Sequence, residues 1–144
     1  MEDILYNFKL EELIFGYNFN HKVENLPLGL KKITFGNNFN QCVSNLPTTL
    51  EHIKFDNNFN KNVDYLPSSV IYIIFGNKFK QSIDHLPSFI EEIILGNDFD
   101  NKISFLPTKL KKLVLSKNYY ENNIINIQKI TSNNKFLIID YLIT

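Results

Sequence analysis

The chain has 144 residues, 44% of them hydrophobic and 21% charged, which suits one ordered domain. Its 15 basic residues, all lysine, cancel 15 aspartates and glutamates, so the basic excess and bidentate arginines that nucleic-acid binding usually needs are missing. No apolar run approaches the roughly 20 residues that span a bilayer, Met1-Glu2-Asp3-Ile4 opens no signal peptide, and Cys42 has no partner cysteine, so an intracellular, soluble protein without membrane association or internal disulfide is expected.

Residues 1–9 are expected to cap the N-terminal end of the domain, with Ile4, Leu5 and Phe8 as apolar candidates. From residue 10 to residue 120 one pattern returns at an unvarying step of 20, marked by Leu26-Pro27, Leu46-Pro47, Leu66-Pro67, Leu86-Pro87 and Leu106-Pro107. A fixed period of that length predicts a solenoid, in which each residue sits above its counterpart one repeat earlier. Three columns are apolar throughout, beginning Leu10-Leu30-Leu50, Leu13-Ile33-Ile53 and Phe15-Phe35-Phe55. The last two lie two positions apart, so on extended backbone both point into the coil. Strands are therefore expected near residues 11–15, 31–35, 51–55, 71–75, 91–95 and 111–115, in one parallel sheet. Phe19, Phe39, Phe59, Phe79, Phe99 and Tyr119 add an aromatic column, and Val23, Val43, Val63, Ile83 and Ile103 a β-branched one. No coil could bury this side alone, so stability must come from its neighbours.

A coil of 20 residues, less a strand and its turns, leaves little room for helix, and the absence of alanine points the same way. Gly16, Gly36, Gly76 and Gly96 follow the strands, with Asp56 and Ser116 in two copies; a strand exit with left-handed backbone angles would explain that choice. Of the two asparagine columns beyond, the one holding Asn37, Asn57, Asn77 and Asn97 is expected to be the more buried, because its neighbour contains Lys78 and Asp98. Outward charges alternate in sign along the stack, as in Glu11-Lys31-Glu51, Glu91-Lys111, Glu12-Lys32 and Glu92-Lys112, which avoids like-charge contacts.

After Tyr120 the register fails, Asn126 standing where Leu-Pro should begin. Residues 121–144 are expected to cap the last coil, using Ile124, Ile125, Ile127 and Ile130 at partly helical spacing and the apolar run from Phe136 to Ile143. The alternative is a homodimer, with the unpaired C-terminal edge joining that of a second chain.

The motif Leu26-Pro27, Leu30, Ile33, Phe35-Gly36, Phe39-Asn40-Gln41, Val43 resembles the FNIP repeats, which belong with the leucine-rich repeats; the likeness covers roughly residues 6 to 120. Leu-Pro-x-x-Leu-x-x-Leu-x-Phe is also similar to the short repeats of bacterial effector-type leucine-rich proteins, whose outer side is extended. The resemblance implies a mostly β, right-handed, leucine-rich-repeat-like solenoid of six coils, with one parallel β-sheet and a non-helical convex side. It also implies a protein of social amoebae, or of giant viruses that infect them and would place it in host cytoplasm. Some FNIP proteins carry an F-box-like segment that recruits a ubiquitin ligase; none is recognisable here. Phe79-Lys80, Phe99-Asp100 and Tyr119-Tyr120 depart from the family's Phe-Asn.

No phosphate loop, nucleophile elbow, HExxH or clustered metal ligands occur, and His21, His52 and His85 fall in three different columns, expected at the surface. Asp56-x-Asn58-x-Asn60 begins like a calcium loop, but Lys61 stands where glycine is needed and Pro67 where the bidentate glutamate is needed. Cys42 is expected to be an exposed, unreactive thiol. No enzyme activity, cofactor or metal is therefore expected.

What remains is a surface. On the outward face of the strands His52 and Lys54 give way to Tyr72, Ile74, Ile94 and Val114, flanked by Lys32, Lys54, Glu92 and Lys112. An apolar stripe with a charged rim marks a protein contact. The expected function is a non-catalytic interaction module that presents a rigid sheet to a protein or peptide, provided that the C-terminal tail does not fold over the stripe. The alternative is a structural subunit assembling end to end, with acidic Glu2, Asp3, Glu11 and Glu12 meeting Lys109, Lys111, Lys112 and Lys117.

Overall fold

The computed structural model describes residues 10–132, 134 and 137–142; the proposed cap over residues 1–9, and Phe136 and Ile143 of the tail, lie outside them. The period becomes six short parallel strands: β1 (Glu12–Ile14), β2 (Lys32–Thr34), β3 (His52–Lys54), β4 (Tyr72–Ile74), β5 (Glu92–Ile94) and β6 (Lys112–Leu115). Each pairs with the next in unbroken register, Leu13 beside Ile33, Ile53, Ile73, Ile93 and Leu113. Turns close each coil: Phe39 N–H donates to the Gly36 carbonyl and Leu50 N–H to the Pro47 carbonyl, both at 3.1 Å, with counterparts in neighbouring coils. A further turn, from Val63 to Leu66 and from Ile83 to Leu86, bends the outer side, which carries no helix between residues 10 and 115.

Inside, the two phenylalanine columns form one double row of rings. Within a coil the rings lie face to face at 3.8–4.0 Å, as in Phe35–Phe39 and Phe55–Phe59; between coils they repeat at 5.3–6.3 Å, nearly parallel. Phe35, Phe39, Phe55, Phe59 and Phe79 are fully buried. Each contributes about 1.5–3 kcal/mol by leaving water, and each ring contact about 0.5–1.5 kcal/mol more.

Two expectations about the turn fail for geometric reasons. No described glycine has positive φ. The column needs glycine because the preceding coil is too close: a Cβ on Gly76 would meet the Asp56 carbonyl carbon at 2.4 Å, and one on Gly96 the Gly76 carbonyl at 2.4 Å. Nor is the first asparagine column the buried one, for Asn57, Asn77 and Asn97 are exposed while Asn38 and Asn58 of its neighbour are partly covered. Both columns occupy the middle of the turn and point outward, pairing amide to amide up the stack, as in Asn57 Nδ2 to Asn37 Oδ1 at 3.1 Å.

Asn77 Oδ1 also accepts from Asn97 N–H at 3.1 Å, but the longer ladder to the backbone stands just after the ring, at the Asn of the Phe-Asn-Gln motif. Asn20 Oδ1 accepts from Asn40 N–H, Asn40 Oδ1 from Asn60 N–H and Asn60 Oδ1 from Lys80 N–H, at 2.9–3.0 Å. Gln41 and Gln81 reinforce it, their Nε2 donating to Asn20 Oδ1 and Asn60 Oδ1. The ladder stops where the sequence changes: Lys80 and Asp100 replace it with an exposed ion pair of 2.9 Å.

Ser116 caps helix α1 (Lys117–Thr131), its Oγ accepting from Tyr119 N–H. The helix bends at Asn123, whose side chain takes the Tyr119 carbonyl at 2.9 Å. Tyr119 and Ile127 are buried, while Ile125 is 81% exposed. Asn126, where Leu-Pro would have begun, donates instead to the Ile103 carbonyl at 2.7 Å and so pins the helix to the fifth coil. The chain then returns as β7 (Ile138–Tyr141), parallel to β6, Ile138 beside Lys112. Residues 117–131 thus form a helical arch, and β7 adds a seventh strand to the sheet.

Candidate functional site

In-register pairing fixes the outward face of the sheet as two columns. One runs Glu12, Lys32, His52, Tyr72, Glu92, Lys112, Ile138; the other Ile14, Thr34, Lys54, Ile74, Ile94, Val114, Asp140. Both come from strands whose middle residues are locked into the core, so neither column can shift without the rings beneath it.

The predicted anchors Tyr72, Ile74 and Ile94 lie on this face, each partly exposed, on the adjacent strands β4 and β5. His52 joins them, its ring 5.5 Å from that of Tyr72. β7 extends the sheet beside β6, so the described tail does not cross this stripe. Val114 is different: it shares the column but is only 6% exposed. The unforeseen strand is part of the reason, since Asp140 now flanks Val114 opposite Ile94. It offers a partner little area and ends the stripe.

Charge divides the face in two. Lys112 is held by Glu92 at 3.5 Å and Asp140 at 3.7 Å. Burial and the nearby Glu92 carboxylate raise the Tyr72 phenol above its ordinary value, against Lys112. Lys32 and Lys54, on β2 and β3, are exposed, and neither has a carboxylate within salt-bridge range among the described residues. A shallow depression of about 190 Å³ lies over β1 to β4, centred on the lysine half, and Glu12 lines it together with Lys32, His52, Lys54, Tyr72 and Ile74. Sequence alone places the two lysines on its rim; that one half of the face keeps its cations unpaired while the other neutralises them is visible only once β7 supplies Asp140.

Elsewhere the chemistry is thin. Asp56 accepts from Asn57 N–H, and Asn58 and Asn60 serve the ladders, so the calcium-like spacing is spent on turns. No cluster of three potential metal ligands occurs among the described residues, and none of their helices is long and apolar enough to cross a membrane. Cys42 is exposed as expected, and its hydrogen bond with the Ser44 side chain, 3.3 Å away, lowers its thiol below the ordinary value.

One parallel sheet, an extended convex side and a stacked aromatic core define a leucine-rich-repeat-like solenoid. The solved structure of CroV588, described as a novel circular LRR protein, from the giant virus CroV, shares that form at 31% identity and a TM-score of 0.59. The match takes in 77% of this chain but 21% of that one, so this chain spans about a fifth of its length. The FNIP repeat model matches residues 19–58, 43–78 and 79–118. The chain belongs to the FNIP repeat family. No curated protein matches it.

Proposed function

We propose that this chain is a non-catalytic recognition module that docks a protein or peptide on the outward face of its parallel sheet, with Tyr72, Ile74 and Ile94 as apolar anchors and His52 at their margin. One observation carries the reading: these apolar side chains stand partly exposed on neighbouring strands while the described tail adds to the sheet edge and leaves them open. The mechanism is rigid presentation. Each anchor's backbone is fixed by the in-register sheet, so little ordering cost is paid on binding. Affinity capture from the native host's lysate tests it: wild type should retain partners that a Tyr72→Ala/Ile94→Ala variant of unchanged melting temperature loses, and an identical retained set would overturn it.

A second reading is self-association through the C-terminal edge. It is favoured by β7, which leaves Ile138 61% exposed beside Tyr141 at 39% and has no strand on its outer side among the described residues. End-to-end electrostatic assembly is less well supported, since Lys111, Lys112 and Lys117 are already paired with Glu91, Glu92 and Glu121. Light scattering should show a concentration-dependent dimer abolished by Ile138→Lys; a monomer at all concentrations would remove this reading.

A further inference from the structure

We infer that the partner segment is acidic and apolar together: it brings a carboxylate over Lys32 and Lys54 and an aliphatic or aromatic side chain over Tyr72, Ile74 and Ile94. The inference rests on the docking reading and gives that partner a chemistry.

Among the lysines on and beside the strands the commoner arrangement is an opposing carboxylate one coil away: Lys31 with Glu51 at 3.6 Å, Lys111 with Glu91 at 2.7 Å, Lys112 with Glu92 at 3.5 Å. Lys32 and Lys54 break it. The register partners of Lys32 are Glu12 and His52, yet no ion pair with Glu12 forms; those of Lys54 are Thr34 and Ile74. Among the described residues two ammonium groups thus share one half of a face with one carboxylate, Glu12, which lines the same depression but lies outside salt-bridge range of both, while the other half is apolar and its lysine is neutralised twice. An external carboxylate completes for the first half what Glu92 and Asp140 do for the second.

Geometry sets the spacing. Lys54, Ile74 and Ile94 are successive members of one column, so they step by about 4.8 Å and the lysine is about 10 Å from the second isoleucine. An extended peptide rises about 3.3 Å per residue. Crossing the strands, it would place an acidic and an apolar side chain about two to three residues apart on the two halves, the acidic one over the depression of about 190 Å³ that holds Lys32 and Lys54. A nucleic acid fits poorly, because phosphates would lie over the aliphatic half.

The test is selection from a random displayed peptide library on the full chain, followed by fluorescence anisotropy with the selected peptides. Lys32→Glu/Lys54→Glu and Ile74→Ser/Ile94→Ser variants serve alongside wild type, each checked for an unchanged melting temperature. Enrichment of Asp or Glu two to three residues from Leu, Ile, Phe or Tyr is expected, with affinity falling at least tenfold in either variant and the charge-reversed variant selecting Lys or Arg instead. Apolar peptides without acidic preference, bound equally by the charge-reversed protein but lost on Ile74→Ser/Ile94→Ser, would overturn the partner chemistry while leaving the docking face standing. Peptides indifferent to both variants would overturn the face and the inference together. No enrichment, or tighter binding of a labelled oligo-dT than of any peptide, would overturn the inference.

Discussion

The middle coils and the last coil solve the same problem with different chemistry. From β2 to β4 every ring lies parallel to the one before, Phe39 to Phe59 at 8° and Phe59 to Phe79 at 3°. At the last coil Tyr119 tilts 58° from Phe99, the advance from strand to strand lengthens so that Lys112 meets Ile138, and a helix replaces the extended side. Asparagine accompanies both and does different work. In the middle coils Asn20, Asn40 and Asn60 turn an oxygen toward the next coil's backbone. In the last, Asn126 and Asn134 turn a nitrogen back toward carbonyls of earlier coils. The repeating coils thus link in both senses, Gln41 Nε2 and Asn101 Nδ2 also reaching back to the Asn20 and Lys80 carbonyls, whereas these two asparagines of the last coil donate backward.

Phe59→Ala strikes the middle coils hardest. The ring is fully buried and stacks on Phe39, Phe55 and Phe79, so its loss leaves a cavity in the centre of the rod with about 3–5 kcal/mol of destabilisation. Urea unfolding measures it. A loss below about 1 kcal/mol would mean that coils unfold independently and that the stack does not hold them together.

Gly76→Ala against Gly16→Ala sharpens the contrast between the interior of the stack and its end. The added methyl meets backbone at 2.4 Å at Gly76 and nothing within 4 Å at Gly16. Forcing neighbouring coils apart costs about 1–3 kcal/mol at the first position and little at the second. Asp56 in the same column shows that a coil can shift where its sequence requires, which places the expectation toward the lower figure. Equal effects at the two sites would show that the close approach is not what selects glycine.

How far the sequence can be read follows the same division. Periodicity reports the neighbour one repeat away, so the strands, the inward columns, the double row of rings and the stripe at Tyr72, Ile74 and Ile94 are all legible. It says nothing of how close that neighbour comes, which is why sequence alone assigns the glycines to a turn conformation when they answer to backbone contact. It also cannot tell two outward asparagine columns apart, because both repeat equally well. Beyond Tyr120 there is no copy to compare with. β7 is therefore invisible as a strand, and with it the burial of Val114 and the neutralisation of Lys112.

Asn60→Ala probes the accepting ladder. It removes the acceptor for Lys80 N–H and Gln81 Nε2 on a partly exposed surface, where water replaces part of what is lost, so about 1 kcal/mol is expected. Asn60→Asp keeps the oxygen and should recover most of the stability. If the aspartate fails as badly as the alanine, the amide nitrogen has a role that the accepting geometry does not include.

Tyr119→Phe gives the last coil the side chain of the middle ones, and its effect is the smallest. It deletes the hydrogen bond from Tyr119 Oη to the Asn101 carbonyl at 2.8 Å, worth about 0.5–1.5 kcal/mol. The sharper readout is pH. Burial raises the Tyr119 phenol above its ordinary value, burial raises that of Tyr72, and the Asp100 hydrogen bond raises the Lys80 ammonium. A group raised in the folded state lends stability that is whole below its unfolded value, about 10 for tyrosine and 10.4 for lysine, and disappears as pH climbs through the folded value. The melting temperature should therefore fall above about pH 10, less so in Tyr119→Phe, while Asp100→Asn should change neither that slope nor the neutral-pH value measurably because the pair is exposed to solvent. Were the alkaline slope identical in wild type and Tyr119→Phe, the phenol would be titrating as freely in the folded chain as in the unfolded one. The tilt of the sixth ring would then owe nothing to the carbonyl it reaches, and the change of chemistry at the last coil would begin at the helix and not at the ring.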